Sequence, residues 1–208
     1  PVADQAGEVV GIPRRTGLDD QVAAAAQACP HQPLVDRAGG EQRVHRQAAA
    51  HHGLKVATHQ GDMRDLSIFA ADRFDVVWQV YSLNFCPSVE PVFREVARVL
   101  KPGGIYFLQF ANPFSHAVDD EAWDGEAYAL NRPYIDSEDL TRYYPHWDVA
   151  QTDGSSVRLP GPHEFRHALS TVMNTLVGNG FCFLGLWEWM ERAENPEPGS
   201  WPHFTQIA

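Results

Sequence analysis

The pattern of hydrophobic and polar positions predicts a strand, a helix and a second strand in the middle of the chain. Residues 74–80 are mostly apolar and β-branched, as expected of a strand covered on both faces. Apolar residues then recur at helical spacing over 91–100, and residues 105–110 form another apolar run. This order and spacing indicate a parallel α/β sheet.

Weaker patterns flank this unit. Residues 54–58 predict a short strand that leads into a turn, and residues 18–29 predict a helix with its apolar side chains on one face. In the second half, residues 165–176 predict an amphipathic helix, which is followed by a strand over 181–189.

The stretch between these units, residues 111–162, lacks a regular hydrophobic period and is rich in prolines, acidic residues and aromatic residues. We interpret it as a lid inserted over the edge of the sheet, with short helices near 119–130 and 137–144. The chain is therefore predicted to be a single domain over 1–208, of which 111–162 is the lid.

Composition changes the picture for the first part of the chain. Residues 1–60 contain no Phe, Tyr or Trp, whereas the rest of the chain holds all of them. The same stretch is rich in Ala, Gln and His. Residues 1–52 are therefore treated as an atypical N-terminal part of the domain.

Charge and cysteine content restrict the partners. The net charge of −11 disfavours nucleic acid and anionic membrane surfaces, because both are bound mainly through Lys and Arg. No apolar run approaches the ~20 residues that a membrane span requires. The three cysteines fit neither a disulfide framework nor a zinc site. The expected partner is a small molecule, the expected location is the cytoplasm, and no metal site is predicted.

Three sequence segments together carry a family resemblance. They are Gly-Asp-Met at 61–63, Phe-Asp-Val-Val at 74–77, and Phe-Arg-Glu-Val-Ala-Arg-Val-Leu-Lys-Pro-Gly-Gly at 93–104. This combination resembles class I S-adenosylmethionine-dependent methyltransferases of the small-molecule type, and the resemblance extends over 53–208. It implies a Rossmann-like, mostly parallel sheet with helices on both faces, with the lid after the fifth strand. S-adenosylmethionine is the implied cofactor.

The resemblance also implies roles for individual residues. Asp62 would accept a hydrogen bond from the adenine amino group of the cofactor, and the backbone of Met63 would contact the adenine edge. Gln79 and Val80, at the end of their strand, would line the methionine half. Their place agrees with the rule that open α/β sheets bind ligands beyond the carboxyl ends of the strands.

The first motif of the family departs from its usual form. A glycine-rich loop is expected near 9–17, but only Thr16-Gly17 fits the pattern, which leaves Gly17 as its candidate cofactor contact. Asp36 stands where an acidic residue that binds the ribose is expected. Either the loop has degenerated in place, or the first ~50 residues are out of frame; we also expect the natural protein to extend beyond both ends of this chain.

No catalytic residue can be assigned from the sequence. His163, Glu164, Arg166 and His167 open the late amphipathic helix, and one of them could act as a base. The favoured interpretation, however, makes them solvated residues of a first helical turn.

The predicted function is methyl transfer from S-adenosylmethionine to an unidentified small molecule. One alternative is a non-catalytic, Rossmann-like remnant that no longer binds the cofactor, because its glycine loop is altered. A nicotinamide-dependent oxidoreductase is disfavoured by the absence of Gly-x-Gly-x-x-Gly.

Overall fold

The computed structural model describes residues 22–27, 50–53, 56–150, 154–188 and 194–207. Within these ranges the chain forms both strands and helices, which confirms the predicted α/β class. The strands are β1 (Val22–Gln27), β2 (Val56–Gly61), β3 (Phe74–Val80), β4 (Leu100–Gln109), β5 (Val118–Trp123), β6 (Tyr128–Leu130), β7 (Glu138–Asp139), β8 (His146–Ala150), β9 (Ser156–Pro160) and β10 (Phe165–Arg166). The α-helices are α1 (Glu90–Val99), α2 (Leu169–Gly178) and α3 (Trp201–Ile207).

Two strand pairs are parallel. β1 pairs with β2 from Val22–Val56 to Gln27–Gly61, and β3 pairs with β4, which it reaches through α1. The described residues add three antiparallel pairs, namely β5 with β6, β7 with β10, and β8 with β9. The central strand–helix–strand prediction is thus confirmed. The described strands form separate pairs rather than the one mostly parallel sheet that was expected.

The helix predicted over 18–29 is wrong where the structure describes it. Residues 22–27 form β1, and all six of them pair with β2. Alanine favours helices, but this preference is weak and is overridden by the backbone hydrogen bonds of a parallel ladder.

The helix predicted near 119–130 is also wrong, because this segment is the β5–β6 hairpin. The carboxylate of Asp124 accepts hydrogen bonds from the backbone N–H groups of Glu126 and Ala127, both at 2.8 Å. Gly125 follows with φ of +105°, in a region that side chains disfavour. Side-chain-to-backbone bonds of this kind stabilise a turn at the expense of a helix.

The helix predicted near 137–144 is likewise wrong. Ser137 has φ of +57°, and the short strand β7 that follows pairs with β10. The carboxylate of Asp139 accepts a hydrogen bond from the backbone N–H of Thr141 at 2.9 Å, which turns the chain after β7. Residues 118–139, which fall within the stretch interpreted from the sequence as a lid, therefore form short strands and turns.

The hydrophobic core lies between α1, α2 and the start of the segment after β3. Phe93 and Val92 of α1 are completely buried, as are Val172 of α2 and Leu83.

The late amphipathic helix is confirmed as α2. No strand forms over 181–188, contrary to the prediction, and among the described strands none pairs with this segment.

Gly104 provides a first test of the packing between β3 and β4. A Cβ at this position would lie 2.7 Å from Cδ2 of Leu100 and 2.9 Å from the carbonyl oxygen of Lys101. We expect Gly104→Ala to lower the free energy of unfolding by about 1–3 kcal/mol, because the backbone must move to admit the methyl group. Gly178→Ala, where the added Cβ meets nothing within 4 Å, is the control, and an equal loss in both variants would refute the packing argument.

Candidate functional site

The turn after β2 contains Asp62 and Met63. Both carboxylate oxygens of Asp62 are bound by Arg64: Oδ1 accepts from its backbone N–H at 2.9 Å, and Oδ2 accepts from its NH2 group at 2.6 Å. The hydrogen bonds from the Arg64 side chain hold the pKa of Asp62 below its usual value. Asp62 is therefore an ionised acceptor that keeps about a third of its side chain exposed.

The loop that follows this turn is fixed by α1. Glu95 accepts a hydrogen bond from the backbone N–H of Leu66 at 2.8 Å. Arg98 donates to the carbonyl oxygens of Leu66 and Phe69, at 2.8 and 2.9 Å. Glu95 and Arg98 also form an ion pair with each other at 2.7 Å. The charged residues inside the helical motif thus hold the loop that carries Asp62.

Met63 and Gln79 come together although 16 residues separate them. The side-chain amide of Gln79 donates to Sδ of Met63 at 3.4 Å and accepts from the Tyr106 hydroxyl at 2.5 Å. Burial raises the pKa of Tyr106, so its hydroxyl keeps the proton that it donates. Since the amide oxygen of Gln79 accepts from Tyr106, its amide nitrogen faces Met63. The hydrogen bond between Gln79 and Met63 therefore connects the end of β3 to the turn after β2.

Val80 ends β3 and is 46% exposed, so its side chain is available to a ligand. The next residue, Tyr81, has φ of +57°, a left-handed conformation that is costly for a tyrosine. Its backbone N–H donates to the carbonyl oxygen of Gln109 at the end of β4. Strain of this kind is common at functional sites.

The other two candidate contacts, Gly17 and Asp36, lie outside the described residues, as does the whole glycine-loop region. Among the predicted contacts, the structure therefore brings Asp62, Met63, Gln79 and Val80 to the ends of β2 and β3.

The segment before α2 differs from its sequence interpretation. Glu164, Arg166 and His167 are 7%, 0% and 3% exposed, so the expectation of solvated residues is wrong for these three. The side chain of His163 is 44% exposed and pairs with Asp139. The sequence feature that could have indicated this burial is the presence of four ionisable residues within 163–167.

Burial changes the titration of this segment. It raises the pKa of Glu164, and the nearby side-chain amide of Asn84 offsets this only in part. Burial lowers the pKa of His167, whose Nε2 lies 3.2 Å from the carbonyl oxygen of Leu83. A protonatable carboxyl group and a neutral imidazole therefore lie beside the segment that follows β3.

Among the described residues, no group of three or more His, Cys, Asp or Glu side chains could hold a metal ion. No helix in the same part of the chain is long and apolar enough to cross a membrane.

Comparison with known proteins bears directly on these motifs. The family model described as a methyltransferase domain matches residues 17–108, which include β2, β3, α1 and most of β4. The resemblance to class I S-adenosylmethionine-dependent methyltransferases is confirmed. An uncharacterized methyltransferase of Bacillus subtilis, YbaJ, is 31% identical over 174 residues, or 83% of this chain. The chain spans 64% of the length of that methyltransferase.

Solved structures give a looser match. An S-adenosylmethionine-dependent methyltransferase from Mesorhizobium loti is 16% identical, with 68% of this chain and 60% of that chain covered and a TM-score of 0.41. A putative S-adenosylmethionine-dependent methyltransferase from Listeria monocytogenes is 18% identical, with 86% and 71% covered and a TM-score of 0.42.

Proposed function

We propose that this chain binds S-adenosylmethionine at the ends of β2 and β3 and transfers its methyl group to a small molecule. The proposal includes a Rossmann-like sheet, with residues 111–162 as a lid over the site. The observation that carries it is the contact between Met63 and Gln79, because two separate motifs of the methyltransferase resemblance meet there beside Asp62.

The chemistry of Asp62 fits an adenine amino group. A carboxylate offers about four acceptor positions, and three N–H donors of Arg64 make four hydrogen bonds to it, because Nε reaches both oxygens. The amino group of adenine would replace one of the two bonds from Nε. Met63, held by Gln79, would present its backbone to the ring edge.

The bound cofactor would supply an electrophilic methyl group on a sulfonium. The task of the protein would then be to align this group with the acceptor and to exclude water. Val80 and the buried Gln79 lie where the methionine half would be positioned. The cytoplasmic location and the exclusion of nucleic acid stay predictions from the sequence.

The alternative is a folded chain that no longer binds the cofactor. The altered loop before Gly17 supports this alternative, because a proline and an arginine stand where glycines let the backbone approach the ligand. The family match over 17–108 favours the binding-competent form. Direct measurement of binding separates the two.

The experiment is a calorimetric titration with S-adenosylhomocysteine, the demethylated cofactor. We expect micromolar binding and at least a tenfold weaker affinity in Asp62→Ala, since a hydrogen bond to a charged group contributes about 1.5–3 kcal/mol. Asp65→Ala makes the same chemical change three residues away, at an exposed carboxylate that accepts a hydrogen bond from the backbone N–H of Ser67. Its affinity should stay at the level of the unaltered chain.

Two results would contradict the proposal. Absence of binding to a chain that unfolds cooperatively would favour the non-catalytic alternative. Equal losses in Asp62→Ala and Asp65→Ala would mean that the loop, rather than the Asp62 carboxylate, determines affinity.

A further inference from the structure

Glu164 occupies a fixed position beside the end of β3. Its carbonyl oxygen accepts a hydrogen bond from the backbone N–H of Leu140 at 2.7 Å. Three residues later, Nε2 of His167 contacts the carbonyl oxygen of Leu83 at 3.2 Å. The segment that carries Glu164 is thus fastened on one side to the lid and on the other to the turn after β3.

The Glu164 side chain is buried without a cation. It is 7% exposed, and no Lys, Arg or His among the described residues forms an ion pair with it. Burying a carboxyl group in this way is costly, because water no longer solvates the charge. Such groups are found at functional sites more often than elsewhere.

The groups around Glu164 can bind a polar ligand. The buried amide nitrogen of Asn84 has no hydrogen-bond partner among the described residues, and it acts on the Glu164 carboxyl group. Burial raises the pKa of Tyr81, and repulsion from Glu164 raises it further. Tyr144 acts on Tyr81 in the same direction. The contact between His167 and Leu83 places the segment that carries Glu164 against the turn that begins at Tyr81, the strained residue that directly follows Val80.

We propose that Glu164 is the general base that takes the proton from the methyl acceptor, an inference that rests on the proposed function. An oxygen or nitrogen of the acceptor forms the new bond to the methyl carbon. The carbon–sulfur bond breaks with its electron pair staying on sulfur, which becomes a neutral thioether. The proton of the acceptor passes to a carboxylate oxygen of Glu164 and leaves later to water.

This role defines the class of acceptor. It carries an O–H or N–H that must be deprotonated as it attacks, such as an alcohol, a phenol or a neutral amine. An ionised carboxylate has no proton to give, and Glu164 would repel it.

The test uses a cofactor analogue and needs no knowledge of the acceptor. Sinefungin carries a protonated amine in place of the transferred methyl group, and S-adenosylhomocysteine carries nothing there. If Glu164 faces the transferred methyl, its carboxylate pairs with this amine. We expect the chain to prefer sinefungin, and Glu164→Gln to reduce the ratio of the two affinities roughly tenfold while the affinity for S-adenosylhomocysteine stays constant.

Glu126→Gln makes the same change on the exposed β5–β6 turn and should leave the ratio unaltered. An unchanged ratio in a folded Glu164→Gln variant would overturn the proposal. Thermal unfolding establishes that both variants fold. Failure of the proposed function gives a different result, because the unaltered chain would then bind neither sinefungin nor S-adenosylhomocysteine. That result would refute the role of Glu164 as well.

Discussion

Replacement of Arg166 by methionine should lower the free energy of unfolding by about 3–5 kcal/mol, since it breaks a buried ion pair from one side. The Arg166 side chain is completely buried. It donates to Glu138 at 3.0 Å, to the carbonyl oxygen of His116 at 2.6 Å and to that of Pro133. The substitution leaves these acceptors without their shared donor. Denaturant unfolding measures the loss.

Arg142 offers a matched control, because it pairs with the same Glu138. Its side chain is 61% exposed, so Arg142→Met should cost at most about 1 kcal/mol. The difference in unfolding free energy between the two variants measures the effect of burial, since each variant removes one guanidinium group from the same Glu138 carboxylate. Similar losses in the two variants would mean that Arg166 contributes no more than a surface ion pair.

The centre of the fold could be predicted from the sequence, because its signals are local. β3 covers residues 74–80, as predicted, and α1 begins and ends within one residue of the predicted 91–100. Both are determined by the hydrophobic period within a single element. Gln79 and Met63 could be paired only through the family resemblance, since no local pattern joins residues 16 apart.

The structure of residues 111–162 could not be predicted in the same way. Its hairpin depends on a hydrogen bond from backbone N–H groups to Asp124, and this competes with helix formation over the same residues. The backbone of Glu164 is hydrogen-bonded to Leu140, which lies 24 residues earlier in the chain. A helical pattern describes one face of one element and carries no information about a segment that later covers it.

The stability of the folded chain should decrease in acid because of His116. Burial lowers the pKa of His116 to about 4, with smaller contributions from the positive charges of Arg166 and Arg132. In the unfolded chain its pKa is near 6.5. Above pH 6.5 the His116 imidazole is neutral in both the folded and the unfolded state, so its titration does not lower the free energy of unfolding. As the pH falls from 6.5 towards 4, the unfolded chain binds the proton first, so the folded state loses up to about 3 kcal/mol.

We therefore expect the stability of His116→Gln to depend less on acid than that of the unaltered chain. The difference in unfolding free energy between the variant and the unaltered chain should change by roughly 2–3 kcal/mol between pH 7 and pH 4. Unfolding in denaturant at several pH values measures it, and the effects of all other groups cancel in the difference. His52→Gln, at an exposed histidine, is the control. If the two variants share the same pH dependence, His116 is not held neutral by its surroundings. If only His116→Gln departs, Arg166 both stabilises this part of the fold and makes it sensitive to acid, because it binds the His116 carbonyl oxygen and repels the protonated His116 ring.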